Sequence, residues 1–403
     1  MAIQTTANLT SAVRTRYLAK YLEAAQLVRL YDQLSTPVGA AQLELERARG
    51  MGTTYTFNFL SDMTPASAAI SETADITPQN LVDSTATVTP TSRAEALQWS
   101  EGLELQAYTN YGEQRFKVLG KNHMESIDEL AKVAALQGTL VLRGAARASL
   151  DAGTSANRLT DAALWKASSM LTTLKCPPFI VNGQAKGMAI MHPDVFYDLI
   201  SAGNVVSIAL YQDKEIWFRG ELGQLANMKL IVSPWAKVFG AAGADNAANI
   251  ATTVATTDAK ALDKSITIAA NTNTTSGLYI TIGTEETANT WYPTNDIVRG
   301  TLASASITLT FVGEGANGGL RFPHLIGEAV RNADNVYPVA YGTPGSLCKV
   351  YAQETGEFGE VVGPKKDGIV DQFATIGWKF YGGYGRISES YILRGEYSSS
   401  LQA

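Results

Sequence analysis

Charge is scarce in this sequence. Only 17% of its 403 residues are Asp, Glu, Lys or Arg, against roughly 25% in an average soluble domain, so its surface expects partners other than water. Basic residues are also outnumbered: 32 Lys and Arg face 38 Asp and Glu, a net charge of -6. That balance is opposite to the one a dedicated nucleic-acid binder carries, and it excludes tight phosphate binding as the main task. Cysteine is limited to Cys176 and Cys348. The two lie too far apart in sequence to read as a disulfide framework or a thiolate metal site, and both read as reduced, packed thiols. The three histidines, His123, His192 and His324, have none of the short spacings that put two imidazoles on one metal, so structural roles are expected. No apolar run approaches the ~18 residues that span a bilayer. The first ten residues lack a basic start and an apolar core, so no secretory signal is read and the chain is expected to be cytosolic when made.

What replaces charge is small residues: 35 glycines and long Ala, Thr and Ser runs, with an ordinary 45% of hydrophobic residues. At ~150 residues per domain the length suggests between two and three domains. From Thr10 to Asp32, Val13, Tyr17, Leu18, Tyr21, Leu22, Ala25, Val28 and Tyr31 recur at helical spacing, which predicts an amphipathic docking helix with Ser11 as its N-cap. Thr54 to Phe59 alternates strictly, with Tyr55, Phe57 and Phe59 on one face, and Val82 to Val88 alternates again, with Val82, Ala86 and Val88 together. The pair reads as a long hairpin whose tip passes Pro65 and Pro78. A two-stranded ribbon with so few apolar residues needs support. It either lies on its own domain or reaches across a neighbouring subunit, and periodicity does not separate the two.

Glu113 to beyond Gln137 carries Phe116, Leu119, His123, Ile127, Leu130 and Ala134 at alternating spacings of three and four. This predicts a helix roughly 40 Å long, with Gly120 and Gly138 as bending points. An α/β stretch follows: a helix over Asp161–Leu174, a strand over Met188–Met191, a helix opened by Pro193 and a strand over Met228–Val232. From Gly240 to about Asn335 the composition turns to Ala, Asn and Thr, with short β runs at Ser265–Ala269, Leu278–Ile282 and Ser304–Val312. The last segment alternates at Ile376, Trp378 and Phe380, passes an expected Gly-rich turn at Gly382–Gly385, and ends in an edge strand over Tyr391–Tyr397.

Chemistry-bearing motifs are weak. Gly313, Gly315 and Gly318 satisfy G-x-G-x-x-G after a strand, but Pro323 falls where the phosphate-binding helix should continue, and the upstream region is Thr-rich β rather than βαβ. Neither a Walker A lysine loop nor a G-x-S-x-G elbow is present. Asn8-Leu9-Thr10 and Asn273-Thr274-Thr275 fit glycosylation sequons but read as polar turns. Lys365 and Lys366, after Gly363-Pro364, read as a solvated loop, and the Trp378-Lys379-Phe380 run as a core strand rather than a stacking platform. No catalytic, cofactor-binding or metal residue is assigned, and an enzyme is not expected.

The order of elements resembles the major capsid proteins of tailed bacteriophages with the Hong Kong 97-type fold. Gly52–Leu60 followed by Ala68–Leu81 is similar to that family's extended loop, and Glu113–Leu142 to its spine helix. The stretches GELGQLANMKLIVSPWAKVFGAAGAD from Gly220 and NVYPVAYGTPGSL from Asn335 resemble the end of its axial domain, and DQFATIGWKFYGG from Asp371 its closing strand. The resemblance implies an α+β fold laid out as follows: N-terminal arm 1–49, extended loop 50–98, peripheral domain with spine helix 99–150, axial domain 151–245, an inserted β-rich domain 246–333, axial return 334–362, and peripheral strands 363–403. It implies a structural subunit that self-assembles as hexamers and pentamers of an icosahedral head around double-stranded DNA, in the virion and, during assembly, in the host cytoplasm. Assembly contacts are expected from Tyr17, Tyr21, Tyr55, Phe57, Phe59, Val82, Ala86 and Val88, and the spine from Phe116, Leu119, Ile127 and Leu130. Expected partners are further copies of the chain, a separate scaffolding protein if one exists, a portal, cement proteins, and packaged DNA in weak non-specific contact; neither a cofactor nor a membrane is expected. Some relatives join an extended-loop lysine covalently to an asparagine. Here no lysine lies between Lys20 and Lys117, so a non-covalent shell is expected. The 246–333 module departs from the family and is expected on the outer face, supporting neighbouring subunits rather than adhering to a host. Two other readings stand beside this one: an encapsulin-like compartment, and a β-rich tail or adhesin protein.

Overall fold

The computed structural model describes residues 31–35, 44–47, 54–60, 63, 78, 80, 83–100, 102, 111–176, 179–181, 184–201, 221–225, 228–244, 251–255, 257–269, 278–283, 295–302, 308–313, 318–343, 345–352, 359–367 and 373–402. In chain order the first strands are β1 Glu44–Arg47, β2 Tyr55–Leu60, β3 Asp83–Val88 and β4 Thr91–Ser100, followed by helix α1 Tyr111–Leu136 and β5 Val141–Leu142. Next come α2 Asp161–Thr173, β6 Phe179–Val181, β7 Gln184–Met191, α3 Pro193–Ser201, β8 Glu221–Leu225 and β9 Met228–Val232. The strands β10 Ala251–Thr253, β11 Ser265–Thr267, β12 Leu278–Ile282, β13 Asp296–Leu302, β14 Thr308–Val312 and β15 Ala329–Arg331 follow. The chain closes with β16 Tyr337–Gly342, β17 Leu347–Ala352, β18 Glu360–Asp367, β19 Phe373–Arg386 and β20 Ile392–Tyr397.

Two compact units divide the chain, residues 1–131 with 345–388, and 132–344 with 389–403. In the first, β19 is the long central strand: it pairs antiparallel with β4, β17 and β18, and β1 adds in parallel to β17. Helix α1 lays Phe116, Leu119, Met124 and Ile127 against Ile376, Trp378 and Phe380 of β19. Alternate residues of β19 meet a helix stripe of threes and fours, the two periodicities that let a helix seal one face of a sheet.

The second unit holds two sheets. One has the order β5-β20-β16-β7-β9-β8, with β6 paired to β7. Ala189, Met191, Leu230, Val339, Tyr341 and Leu393 share one face of it and bury Leu164 and Leu171 of α2 with Val195 and Leu199 of α3. The local sequence explains both helices. Thr160 Oγ1 accepts from Ala163 N at 3.3 Å as an N-cap, and Pro193 takes the first helical position, where its missing N–H loses nothing. The other sheet, β10-β15-β12-β13-β14-β11, is antiparallel throughout. It has its own core of Val254, Ile266, Ile268, Ile280, Ile282, Val298, Leu309, Phe311, Leu320 and Val330.

Five expectations change. Helix α1 ends at Leu136, and Val141–Leu142 is a strand, so a spine reaching Leu142 is too long. Residues 91–100, Thr-Ser-Arg-Ala-Glu-Ala-Leu-Gln-Trp-Ser, form an unforeseen ten-residue strand; mostly exposed, it alternates only at its end, where Leu97 and Trp99 pack partly buried, and it is held by pairing with β19. Gly382–Gly385 is not a turn but part of β19. There a Cβ on Gly385 would lie 2.6 Å from Val88 Cγ2, so the bare backbone serves close packing against β3. Lys365 and Lys366 sit in β18, beside a register shift between Val362 and Lys365, not in a loop. Lastly, β20 is not an edge: it lies between β5 and β16.

Candidate assembly surfaces

The hairpin that the sequence left open is held at its root by its own chain. β2 and β3 pair in register from Tyr55 opposite Val88 to Leu60 opposite Asp83. Phe57, Ala86 and Val88 are buried in a cluster with Cys348 and Val350 of β17, with Tyr55 and Ile387 against it. Tyr55 and Phe57 rings lie 5.9 Å apart, tilted by 54°, the non-parallel packing that aromatic quadrupoles favour. The opposite face, Thr56, Asn58, Thr85 and Thr87, is exposed. Phe59 stands opposite Ser84 in the register, further from the root. The structure thus gathers Tyr55, Phe57, Ala86 and Val88 in one place. Tyr17, Tyr21 and Val82 lie outside the described residues.

Of the spine residues, Phe116, Leu119 and Ile127 are buried and Leu130 packs partly buried against the same cluster. His123 stacks on Trp378 with centroids 4.4 Å apart and 20° between planes, and Trp378 Nε1 donates to Asn122 Oδ1 at 3.0 Å. A buried charged group that sequence reasoning missed ties a short segment to this layer. Tyr31–Ser35 is a 3₁₀ turn. Its Asp32 Oδ1 accepts from Lys349 Nζ at 3.2 Å and from Tyr384 Oη at 2.5 Å, while Tyr31 N donates to Asp128 Oδ1 at 2.8 Å. Gly345 N donates to Leu34 O at 2.9 Å. No sequence signal pairs residues 317 apart; only the fold brings Asp32 to Lys349.

His324 is fully buried in the six-stranded sheet, with Nε2 2.9 Å from Asp296 Oδ2 and Nδ1 2.7 Å from Glu328 Oε2. Asp296 also accepts from Arg321 N and Phe322 N. Burial pushes the imidazole pKa down, but the hydrogen bonds and charges of Asp296 and Glu328 outweigh it and raise it above the ordinary histidine value. With acceptors at both ring nitrogens, the charged form satisfies both and the neutral form only one. The His324–Glu328 spacing of four was visible in sequence, and Asp296 was not. Both cysteines are free, and burial lifts Cys348 to about 12 and Cys176 to about 11, which leaves them inert thiols at neutral pH. Among the described residues, no group of three or more His, Cys, Asp or Glu could hold a metal ion, and no helix is long and apolar enough to cross a membrane.

Comparison by sequence finds nothing: no family model matches, and no curated protein matches. Comparison by structure finds phage shells. The capsid of Ralstonia phage GP4 matches with a TM-score of 0.56 at 10% identity, covering 92% of each chain. The capsid of cyanophage P-SCSP1u matches at 0.49 and 11%, covering 89% and 88%, and the head of Helicobacter pylori bacteriophage KHP40 at 0.49 and 11%, covering 91% and 90%. The first match shows that this chain shares the fold of a phage capsid chain along nearly its whole length; the other two, below 0.5, add no weight.

Proposed function

We propose that this chain is the major capsid subunit of a tailed bacteriophage, built on the Hong Kong 97-type plan. It assembles as hexamers and pentamers into an icosahedral shell around double-stranded DNA. The observation that carries the reading is the fold shared with the GP4 capsid chain over 92% of both chains. The composition is consistent with it. A subunit that must satisfy similar contacts at pentamer and hexamer positions needs small residues and adaptable elements rather than a charged, self-sufficient surface, and a net charge of -6 keeps the wall from gripping packaged DNA. In this reading β2 and β3 are the base of the extended loop, 50–98, α1 is the spine of the peripheral domain, and the sheet containing β16 belongs to the axial domain, with β20 joining it rather than the peripheral strands expected over 363–403. Strands β10 to β15 form an inserted domain, 246–333, on the outer face, where exposed ends tolerate insertion. Residues 1–49 form the arm that bears Tyr17 and Tyr21. The subunit's role is structural, and its partners are its own copies, a separate scaffolding protein if one exists, a portal and cement proteins.

Electron microscopy of the purified expressed protein tests this. Closed shells are expected, and in particles from infected cells the enclosed DNA is protected from nuclease. Shells enclosing protein cargo in place of DNA would turn the reading to an encapsulin-like compartment, and fibres or trimers with no shells to a tail or adhesin protein. Phe59→Ser probes the loop contact, because Phe59 lies two residues further along the hairpin from its root than Phe57, opposite Ser84 in the register. It is expected to yield a folded subunit that does not close shells.

A further inference from the structure

In a chain so poor in charge, one cluster collects an excess. Arg394 and Glu396 alternate on β20 and therefore share a face of the sheet, the one opposite Leu393 and Tyr397. β5 pairs in parallel with β20, Val141 beside Arg394 and Leu142 beside Gly395, which delivers Arg143 and then Arg147 to the same end. Glu396 is completely buried. Its carboxylate receives Arg143 Nη1 at 3.0 Å, Arg147 Nη2 at 2.5 Å and Arg147 Nε at 3.3 Å, and Arg394 Nε lies 2.9 Å away. Arg394 Nη1 also donates to Leu136 O, and the Arg147 guanidinium lies over the Phe239 ring at 4.2 Å.

Three guanidiniums therefore surround one carboxylate, and among the described residues Glu396 is the one acid they contact. Among the described residues these contacts set three positive charges against one negative. Burial pushes the Glu396 carboxyl up, but the Arg147 hydrogen bond and charge, with those of Arg394 and Arg143, hold it below the usual carboxylate range. Burial pushes Arg394 down; Glu396 opposes that, and repulsion from Arg147 and Arg143 adds to the fall. The excess faces outward in a definite order, since the Arg394 side chain is 10% exposed, that of Arg147 24% and that of Arg143 38%. Arg143 spends one of its five donors on Glu396, and the rest of its planar fork is open to a ligand. A guanidinium fixed by a buried carboxylate has lost its rotamer freedom before any partner arrives, which favours a directional, two-oxygen acceptor.

We propose that Arg143 and Arg147, braced by Glu396, form a carboxylate-binding site filled by an acidic side chain of a second copy of this chain. The partner follows from charge. Copies of a protein with 38 acidic and 32 basic residues offer one another carboxylates in excess, and a pinned fork matches a carboxylate better than it matches the loose, register-free contact of packaged duplex. The inference rests on the self-assembly reading above and adds to it a locus of subunit contact.

Shell assembly by wild type, Arg143→Gln and Arg143→Lys tests it, with subunit melting as the control for folding and with empty and DNA-filled particles compared. The glutamine variant is expected to melt as the wild-type subunit does. Its critical assembly concentration at low salt should be about tenfold higher, the factor that ~1.4 kcal/mol represents, and its dependence on sodium chloride shallower, in empty and filled shells alike. The lysine variant, which keeps charge but not the fork, should fall between. Wild-type protein that forms no shells would remove the self-assembly reading itself. Wild-type shells matched by variant shells in concentration and salt dependence would overturn the site and leave that reading standing. A loss confined to DNA-filled particles would assign the fork to a phosphodiester and overturn the carboxylate.

Discussion

The helix-covered sheet of β19 and the six-stranded sheet of β10 to β15 solve the same burial problem with different side chains. Against α1, the first uses Phe116, Trp378, Phe380, Met124 and Ile127, large groups that fill the space between a helix and a sheet. Among the described residues, the hydrophobic cluster of the second contains one aromatic ring, Phe311, and is otherwise aliphatic, chiefly Ile, Val and Leu. They treat charge differently as well. Lys349 Nζ lies 3.2 Å from Asp32 Oδ1, whereas His324 binds Asp296 and Glu328 with a group that titrates. The first region therefore depends on large packed rings and a lysine–aspartate pair, and the second on an aliphatic core and a proton.

The largest expected effect is on the packed side of that contrast. Phe380→Ala removes a buried ring between β19 and α1 and should cost about 3–5 kcal/mol; a melting curve that barely shifts would show that the helix-covered layer is not the dominant core. Lys349→Ala removes a cation 3.2 Å from buried Asp32 and should cost about 3–5 kcal/mol as well, read as a lower denaturant midpoint. In the six-stranded sheet, Ile280→Ala should cost about 2–4 kcal/mol, and calorimetry should place the loss in an early transition that leaves the Phe380 layer folded. One shared transition would mean that the two cores are not separable.

A smaller effect distinguishes the two charge devices. Because His324 is protonated more readily when folded than unfolded, its contribution is fully present below the unfolded value of about 6.5 and is lost as pH rises through the higher folded value. The early transition should move to lower temperature as pH is raised through the folded His324 value, and His324→Gln should flatten that dependence. Replacing residues 246–333 with a short Gly-Ser linker should still give shells, with reduced thermal stability; complete loss of assembly would place the module in the core fold, and unchanged stability would shift its role to adhesion. The smallest expected effect is none. Particles boiled in detergent should run as a single 43.1 kDa band, since 21–116 contains no lysine, and a ladder of multimers would refute a non-covalent shell.

Periodicity alone determined much of this protein. The stripe from Phe116 to Ala134 specified α1, the alternation of Tyr55 and Phe57 specified β2, and Met228–Val232 and Leu278–Ile282 coincide with β9 and β12. In α1, β2 and β9, burial on one face leaves a repeat that survives in one dimension. Tertiary structure decided whatever depends on a partner distant in sequence. β4 has an apolar rhythm only at Leu97 and Trp99, and it runs ten residues because β19 offers it a ladder. Gly382–Gly385 reads as a turn until β3 is seen to need the space. The root of the hairpin rests on Cys348 and Val350, about 290 residues on. The charged groups were the least legible. Asp32 with Lys349, Asp296 with His324, and Arg143 with Glu396 are each separated by 28 to 317 residues, and no spacing rule reaches across a fold. Their pairing exists only because a buried charge must find its counterpart wherever the packed chain happens to place one.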